Sequence, residues 1–392
     1  MKKTILLFDM DGVLVEPRRY RASLQSSMDF FGKIMGWDFL YPGEQTIAWF
    51  ESRGIISEWD IAPIYMACVV ETVLETYPGL PIPQEFTTFC EMVKRAKIPK
   101  PAIHAENIVN QLPSIKKAGF TYCDLVLYMV ASGPARAAFP RLAGTALIND
   151  LLQHSRIVQR NLITRVFQEV FLGQNAFENT FHLPAVCLDR NTERIVDPQL
   201  ISNEWNIALK EAWENGLVDP VIITARPSAF DYPAGEGRIE FSPEADIIVD
   251  QLGWNRFTLI GQGQLQYAAD QMGCNSVDLI KPSPVHVLGA IGATITDSLL
   301  PSLQAGWDLV NNVPTTFYEG FPELDVHILE DSPVGIRGAA KALDMLEFEG
   351  MTVNLTKWGI ATDENKVTEL QKMGATVVPT VNDALARISF GQ

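Results

Sequence analysis

Two carboxylates stand two residues apart near the start of the chain, in Ile5-Leu6-Leu7-Phe8-Asp9-Met10-Asp11-Gly12. Successive side chains alternate across an extended backbone, so residues i and i+2 can address one site. Two more acids, Glu330 and Asp331, follow the apolar run Val326-His327-Ile328-Leu329 and precede Ser332-Pro333. Four carboxylates brought together repel one another: two unit charges about 4 Å apart cost roughly 4 kcal/mol at an effective dielectric near 20. Such a cluster shifts its pKa values or binds a cation. Hard oxygen ligands without His or Cys beside them favour magnesium over zinc. Thr224, after Val221-Ile222-Ile223, and Lys281, before Pro282, add a hydroxyl and an ammonium. That combination suits a phosphate, whose oxygens the cations neutralise while a carboxylate faces the phosphorus.

Each signal has a plainer structural counterpart. Asp9-Met10-Asp11-Gly12 could be a solvated turn, Thr224 a cap and Lys281 a surface lysine. Ser332-Pro333 starts a helix well in any protein. The acids are harder to set aside, because burying ionised groups without compensation costs several kcal/mol each, roughly.

The elements that must carry these residues read as an α/β pattern. Ile5–Phe8 is a short apolar run, the mark of a strand buried on both faces of a parallel sheet. Further strands are expected at Val221–Ile223, Phe257–Ile260, Val326–Leu329 and Thr352–Leu355, with helices at 243–252, 264–272, 333–343 and 363–373. This alternation predicts a parallel sheet covered on both faces, with ligands at the carboxyl ends of its strands.

Between Val15 and residue 216 no second parallel strand is predicted, a gap too long for a loop. The segments there are helical in period: 22–37, a helix from Ser57 as N-cap, 84–97, 141–154 and 155–172, separated by prolines from Pro78 to Pro113. Ala185–Leu188 and Arg194–Val196 suggest a small hairpin, and Gly289–Tyr318 an excursion with a helix near 298–309. Asp197 and Pro198 read as the cap and first position of a helix that Gly216 ends. The expected domains are therefore a sheet core at 1–15 and 216–392 and a helical insert at 16–215.

Composition agrees. At 392 residues with 47% apolar content, two domains are the natural division. A net charge of −16 argues against nucleic acid as partner. No run approaches the roughly 18 uncharged apolar residues of a membrane helix. The apolar start resembles a leader only until Asp9 and Asp11 interrupt it. Five dispersed cysteines, with no C-x-x-C pair, suggest reduced thiols in a cytoplasmic protein.

The four motifs in order, D-x-D-G-V, a Thr at the next strand end, Lys-Pro, and E-D-S-P, resemble those of the haloacid dehalogenase superfamily. The resemblance covers about half the chain. It implies a Rossmann-like core with a helical cap inserted after the first motif. It implies Asp9 as nucleophile, taking the phosphoryl group, and Asp11 as the acid that protonates the leaving oxygen and then activates water. Thr224, Ala225 and Lys281 would bind the phosphoryl group. Magnesium would sit on Asp9, the Asp11 carbonyl and Asp331, with Glu330 as a direct or outer ligand.

The insert is longer than is common in that family, and the hairpin has no counterpart in its motifs. The resemblance points to a magnesium-dependent phosphatase acting on a small phosphorylated metabolite. A phosphomutase uses the same acids, and a catalytically silent protein of this fold would be expected to lose one of them. A dehalogenase would need neither the second aspartate nor the metal. Substrate choice would lie in the insert, where Arg18, Arg19, Tyr20 and Arg21 are either contacts for a second anionic group or a solvated basic start to a helix, and Arg226 of the core is a further candidate for such a contact, against an ordinary structural role.

Overall fold

The structure, a computed structural model, describes residues 2–112, 120–187, 196–230 and 237–389. The chain divides into two compact units. One contains Met1–Pro17, Asp197–Pro233 and Glu240–Gln392, and the other Arg18–Val196 and Ala234–Ile239.

The first unit is built on a six-stranded sheet. Its strands are β1 (Lys2–Phe8), β2 (Asp219–Ile223), β3 (Thr258–Ile260), β4 (Glu323–Glu330), β5 (Val353–Ile360) and β6 (Thr376–Val378). They lie in the order β3-β2-β1-β4-β5-β6, and every pairing is parallel. The reason is visible in β1. Ile5 and Leu7 enter one apolar cluster and Leu6 and Phe8 another, so both faces are buried and the run is continuously apolar. The expectation of a covered parallel sheet is met.

Strand order reverses beside β1, which has β2 on one side and β4 on the other. Crossovers leave this point in opposite directions and open a crevice at the carboxyl ends of β1 and β4. Asp9 follows β1, while Glu330 ends β4 and Asp331 follows it.

Three expectations change. β6 was not anticipated, because three residues between Gly374 and Pro379 give too short a periodic signal. The excursion expected from Gly289 contains the helix expected near 298–309, at Leu299–Val310, and adds an unanticipated helix, Pro284–Thr296, packed against it. They approach closely where a Cβ on Gly289 would come within 2.3 Å of Leu303. Finally, residues 197–215 belong with the sheet rather than the insert. The helix Asn203–Glu214 buries Leu209 and Ala212 in the cluster that holds Leu6 and Phe8.

Among the described residues the second unit is helical. Its central helix, Glu58–Thr76, is apolar nearly all round and correspondingly buried. Ser57 precedes it without capping it through its side chain. The expected helix at 155–172 begins later, at Leu162, where the Asn161 side chain accepts hydrogen bonds from the Ile163 and Thr164 amides. The expected hairpin falls largely on residues 188–195, outside the described residues, and Ala185–Cys187 are not in a strand.

Candidate functional site

Asp9 leaves β1 buried, with 12% of its side chain exposed. Its Oδ1 accepts hydrogen bonds from the Met10 amide (2.8 Å) and from Lys281 Nζ (2.7 Å). Lys281 also donates to Glu330 Oε1 (2.7 Å) and to the Ile223 carbonyl (3.2 Å). One ammonium thus joins the ends of β1, β2 and β4. Ser332 donates to the other Glu330 oxygen at 3.2 Å.

The electrostatics follow from burial. Desolvation raises the Asp9 pKa, and the nearby Asp11 and Asp331 add to the rise while Lys281 opposes it. Desolvation likewise lifts Glu330 to about 8, with Asp9 adding and Lys281 opposing. Burial works against the Lys281 charge, but Asp9 and Glu330 outweigh it and hold the lysine above its ordinary pKa. The cation is bound by the acids it serves.

Asp9, Glu330 and Asp331 each offer an oxygen within 4.8 Å of the others. Of these three, both Glu330 oxygens are already bonded, to Lys281 and Ser332, which leaves Asp9 and Asp331 as the carboxylates with capacity for a hard cation. The donors are all hard carboxylate oxygens, as magnesium requires. Two glycines make the room. A Cβ on Gly12, whose φ is +75°, would lie 2.5 Å from Asp331 Oδ2, and one on Gly335 would lie 1.7 Å from Glu330 Oε1.

Thr224 is buried just beyond β2, and its hydroxyl accepts a hydrogen bond from the Arg226 amide (3.1 Å). Ala225 between them is exposed. The side chain of Asp11 does not join the three-carboxylate group. It faces Arg226, whose Nε donates to Asp11 Oδ1 and Oδ2 at 2.9 and 3.1 Å. Arg226 is itself only 2% exposed, which favours the structural of its two readings over a contact for a substrate anion.

The arginine cluster after the first motif is not simply a solvated helix start, because it is engaged within its own unit. Arg19 is buried with its guanidinium 5.3 Å from the Phe171 ring centre, and Arg21 pairs with Glu51 at 2.7 Å. Tyr20 packs against Trp59 and Phe171.

Four residues near the site carried no usable signal in the sequence. Lys366 pairs with Asp331 Oδ2 at 2.7 Å from 35 residues away. His286, fully buried, places Nε2 2.9 Å from the Ile260 carbonyl and Nδ1 3.4 Å from the Lys281 amide. Gly335 looked like any helical glycine. Asp197 resembled a helix cap, yet the cap of Asn203–Glu214 is Ser202, and Asp197 is buried against Arg226.

The fold and these residues define an α/β protein with a parallel sheet and an acidic, lysine-bridged site at its switch point. No family model matches the chain, and no curated protein matches it. An X-ray structure of a Northeast Structural Genomics Consortium target is similar in fold, with a TM-score of 0.61 and 16% identity over 98% of each chain.

Proposed function

We propose that this protein is a magnesium-dependent phosphatase of the haloacid dehalogenase type, hydrolysing a small phosphomonoester through a phosphoaspartate on Asp9. The observation that carries the reading is the Asp9–Lys281–Glu330 arrangement beside Asp331 at the carboxyl ends of β1 and β4. A nucleophilic carboxylate, a fixed ammonium and a hard-cation site are what displacement at phosphorus needs.

Asp9 holds Oδ1 in two hydrogen bonds and leaves Oδ2 without one among the described residues. Oδ2 attacks phosphorus, the phosphorus–oxygen bond to the alcohol breaks, and Asp11 gives the departing oxygen its proton. Asp11 then takes a proton from water, whose oxygen displaces Asp9 and releases inorganic phosphate. Lys281 would balance charge on the phosphoryl oxygens, with the Thr224 hydroxyl and Ala225 as further contacts. Asp9 and Asp331 would hold magnesium with the Asp11 carbonyl, while Glu330, committed to Lys281 and Ser332, supports the site from behind. Magnesium, when bound, neutralises the phosphoryl oxygens. The helical unit would act as a cap and choose the substrate.

The test uses an aryl phosphate and a panel of metabolite phosphomonoesters. Turnover should stop with a chelator, return with magnesium and be absent in Asp9→Asn, while Asp11→Asn should be about 10²–10⁴-fold slower and accumulate an acyl phosphate that hydroxylamine traps. Undiminished turnover by Asp9→Asn would remove the chemistry from this strand end.

A further inference from the structure

The second aspartate is held by a buried relay that reaches the segment returning from the helical unit. Arg226 places Nη2 on Asp11 Oδ1 and, at 2.9 Å, on Asp197 Oδ2. Both Arg226 and Asp197 are essentially removed from solvent, whereas 36% of the Asp11 side chain is exposed. An exposed aspartate on a turn has rotamer freedom, and a two-point guanidinium contact takes it away by fixing the carboxylate plane. Asp197 supplies the buried counter-charge that keeps the guanidinium where it can do this.

Asp197 is also the first residue of the sheet-bearing unit after the chain returns from Val196. The next two residues are tied to the outgoing segment: the Glu16 amide donates to the Pro198 carbonyl at 2.9 Å, and Val15 and Gln199 form an antiparallel bridge. The Leu200 amide closes the pair by donating to the Leu14 carbonyl at 2.9 Å. The orientation of Asp11 is therefore connected, through one guanidinium, to the paired segments by which the chain leaves and re-enters this unit.

We infer that Asp197 and Arg226 are positioning residues for Asp11, setting the plane of its carboxylate from the return segment. The inference rests on the reading of Asp11 as the acid/base group. It also assigns the proton traffic to an atom. Among the described residues Oδ1 receives both Nε and Nη2, while Oδ2 receives only the longer Nε contact, so Oδ2 is the oxygen with capacity left for the leaving group and for water.

The experiment compares Asp197→Asn with wild type, alone and in an Asp11→Asn background, using an alkyl phosphate. The expected result is a fall in kcat of about 10–100-fold with KM and calorimetric magnesium affinity unchanged. In the Asp11→Asn background the same substitution should change kcat less than about twofold, because its target is gone. An equal loss in both backgrounds, or no loss in either, overturns the inference. Arg226→Lys, which keeps a charge for Asp197 but cannot grip Asp11 at two points, should reproduce the effect if Asp197→Asn does not fold. A crystal structure of Asp197→Ala provides an arm independent of activity. Asp11 should leave the guanidinium plane, and an unmoved Asp11–Arg226 pair overturns the inference. If wild type hydrolyses no phosphomonoester while Asp11 moves as stated, the phosphatase reading fails and the positioning stands.

Discussion

Gly12 and Asp331 come together so closely that a single methyl group would not fit between them. A Cβ at Gly12 would lie 2.5 Å from Asp331 Oδ2 and 2.8 Å from its carboxyl carbon. The turn after β1 and the end of β4 are thus packed against each other at the point where three carboxylates meet.

Gly12→Ala should therefore fail in two ways. Its φ of +75° costs an L-residue about 1–2 kcal/mol, and the methyl group must push Asp331 aside. The expected outcome is a modest loss of stability in urea titration with a fall in magnesium affinity of about 10–100-fold, the range typical of disturbed metal-site support. Calorimetry that finds magnesium affinity unchanged would show that Asp331 does not hold the ion.

Lys366 places a partly exposed ammonium 2.7 Å from Asp331 Oδ2, where it would oppose a divalent cation bound to the same carboxylate. Because half of the lysine is in water, the opposition is screened to ~1 kcal/mol. Lys366→Met should bind magnesium about fivefold more tightly at low ionic strength, with the difference shrinking in 0.5 M salt. Weaker binding in the variant would instead make Lys366 a support for Asp331.

His286 supplies a pH dependence with a definite sign. Burial, with the Lys281 charge adding, lowers its pKa from 6.5 to about 3. Between these values the unfolded chain carries a proton on this side chain that the folded protein lacks. This contribution is present above pH 6.5 and is lost as the pH falls toward 3, at about 1.4 kcal/mol per unit. Glu330 runs the other way, since its raised value makes its contribution fade as the pH rises through about 8. The difference between wild type and His286→Gln in urea midpoints from pH 7 to 4 isolates the histidine. It should narrow steadily as the pH falls, and parallel curves would sink the assignment.

Local chemistry wrote much of this protein into its sequence. The apolar run before Asp9 is legible because a strand buried on both faces needs every side chain apolar, so β1 and its parallel partners could be read directly. Glu330 and Asp331 were legible because carboxylates at a buried strand end serve no structural purpose that a neutral residue would not serve better, whereas Lys281 alone read as a surface lysine. Asp9, Glu330 and Asp331 are brought to one place as their positions suggested.

Only the tertiary structure decided what each polar group is paired with. In the sequence Arg226 could be either a ligand contact or a structural arginine, and Asp197 looked like the cap of its own helix. In space they satisfy each other, because a buried guanidinium must find carboxylates wherever the fold places them, here 215 and 29 residues away. Residues 197–215 went to the sheet because Leu209 and Ala212 complete a cluster with β1, a contact that helical period alone cannot assign to one domain or another. Capping, strand period and breakers act over a few residues and can be read in order. Charge pairing, the clearance left by Gly12 and Gly335, and strand order depend on segments remote in the chain, and folding alone brings those together.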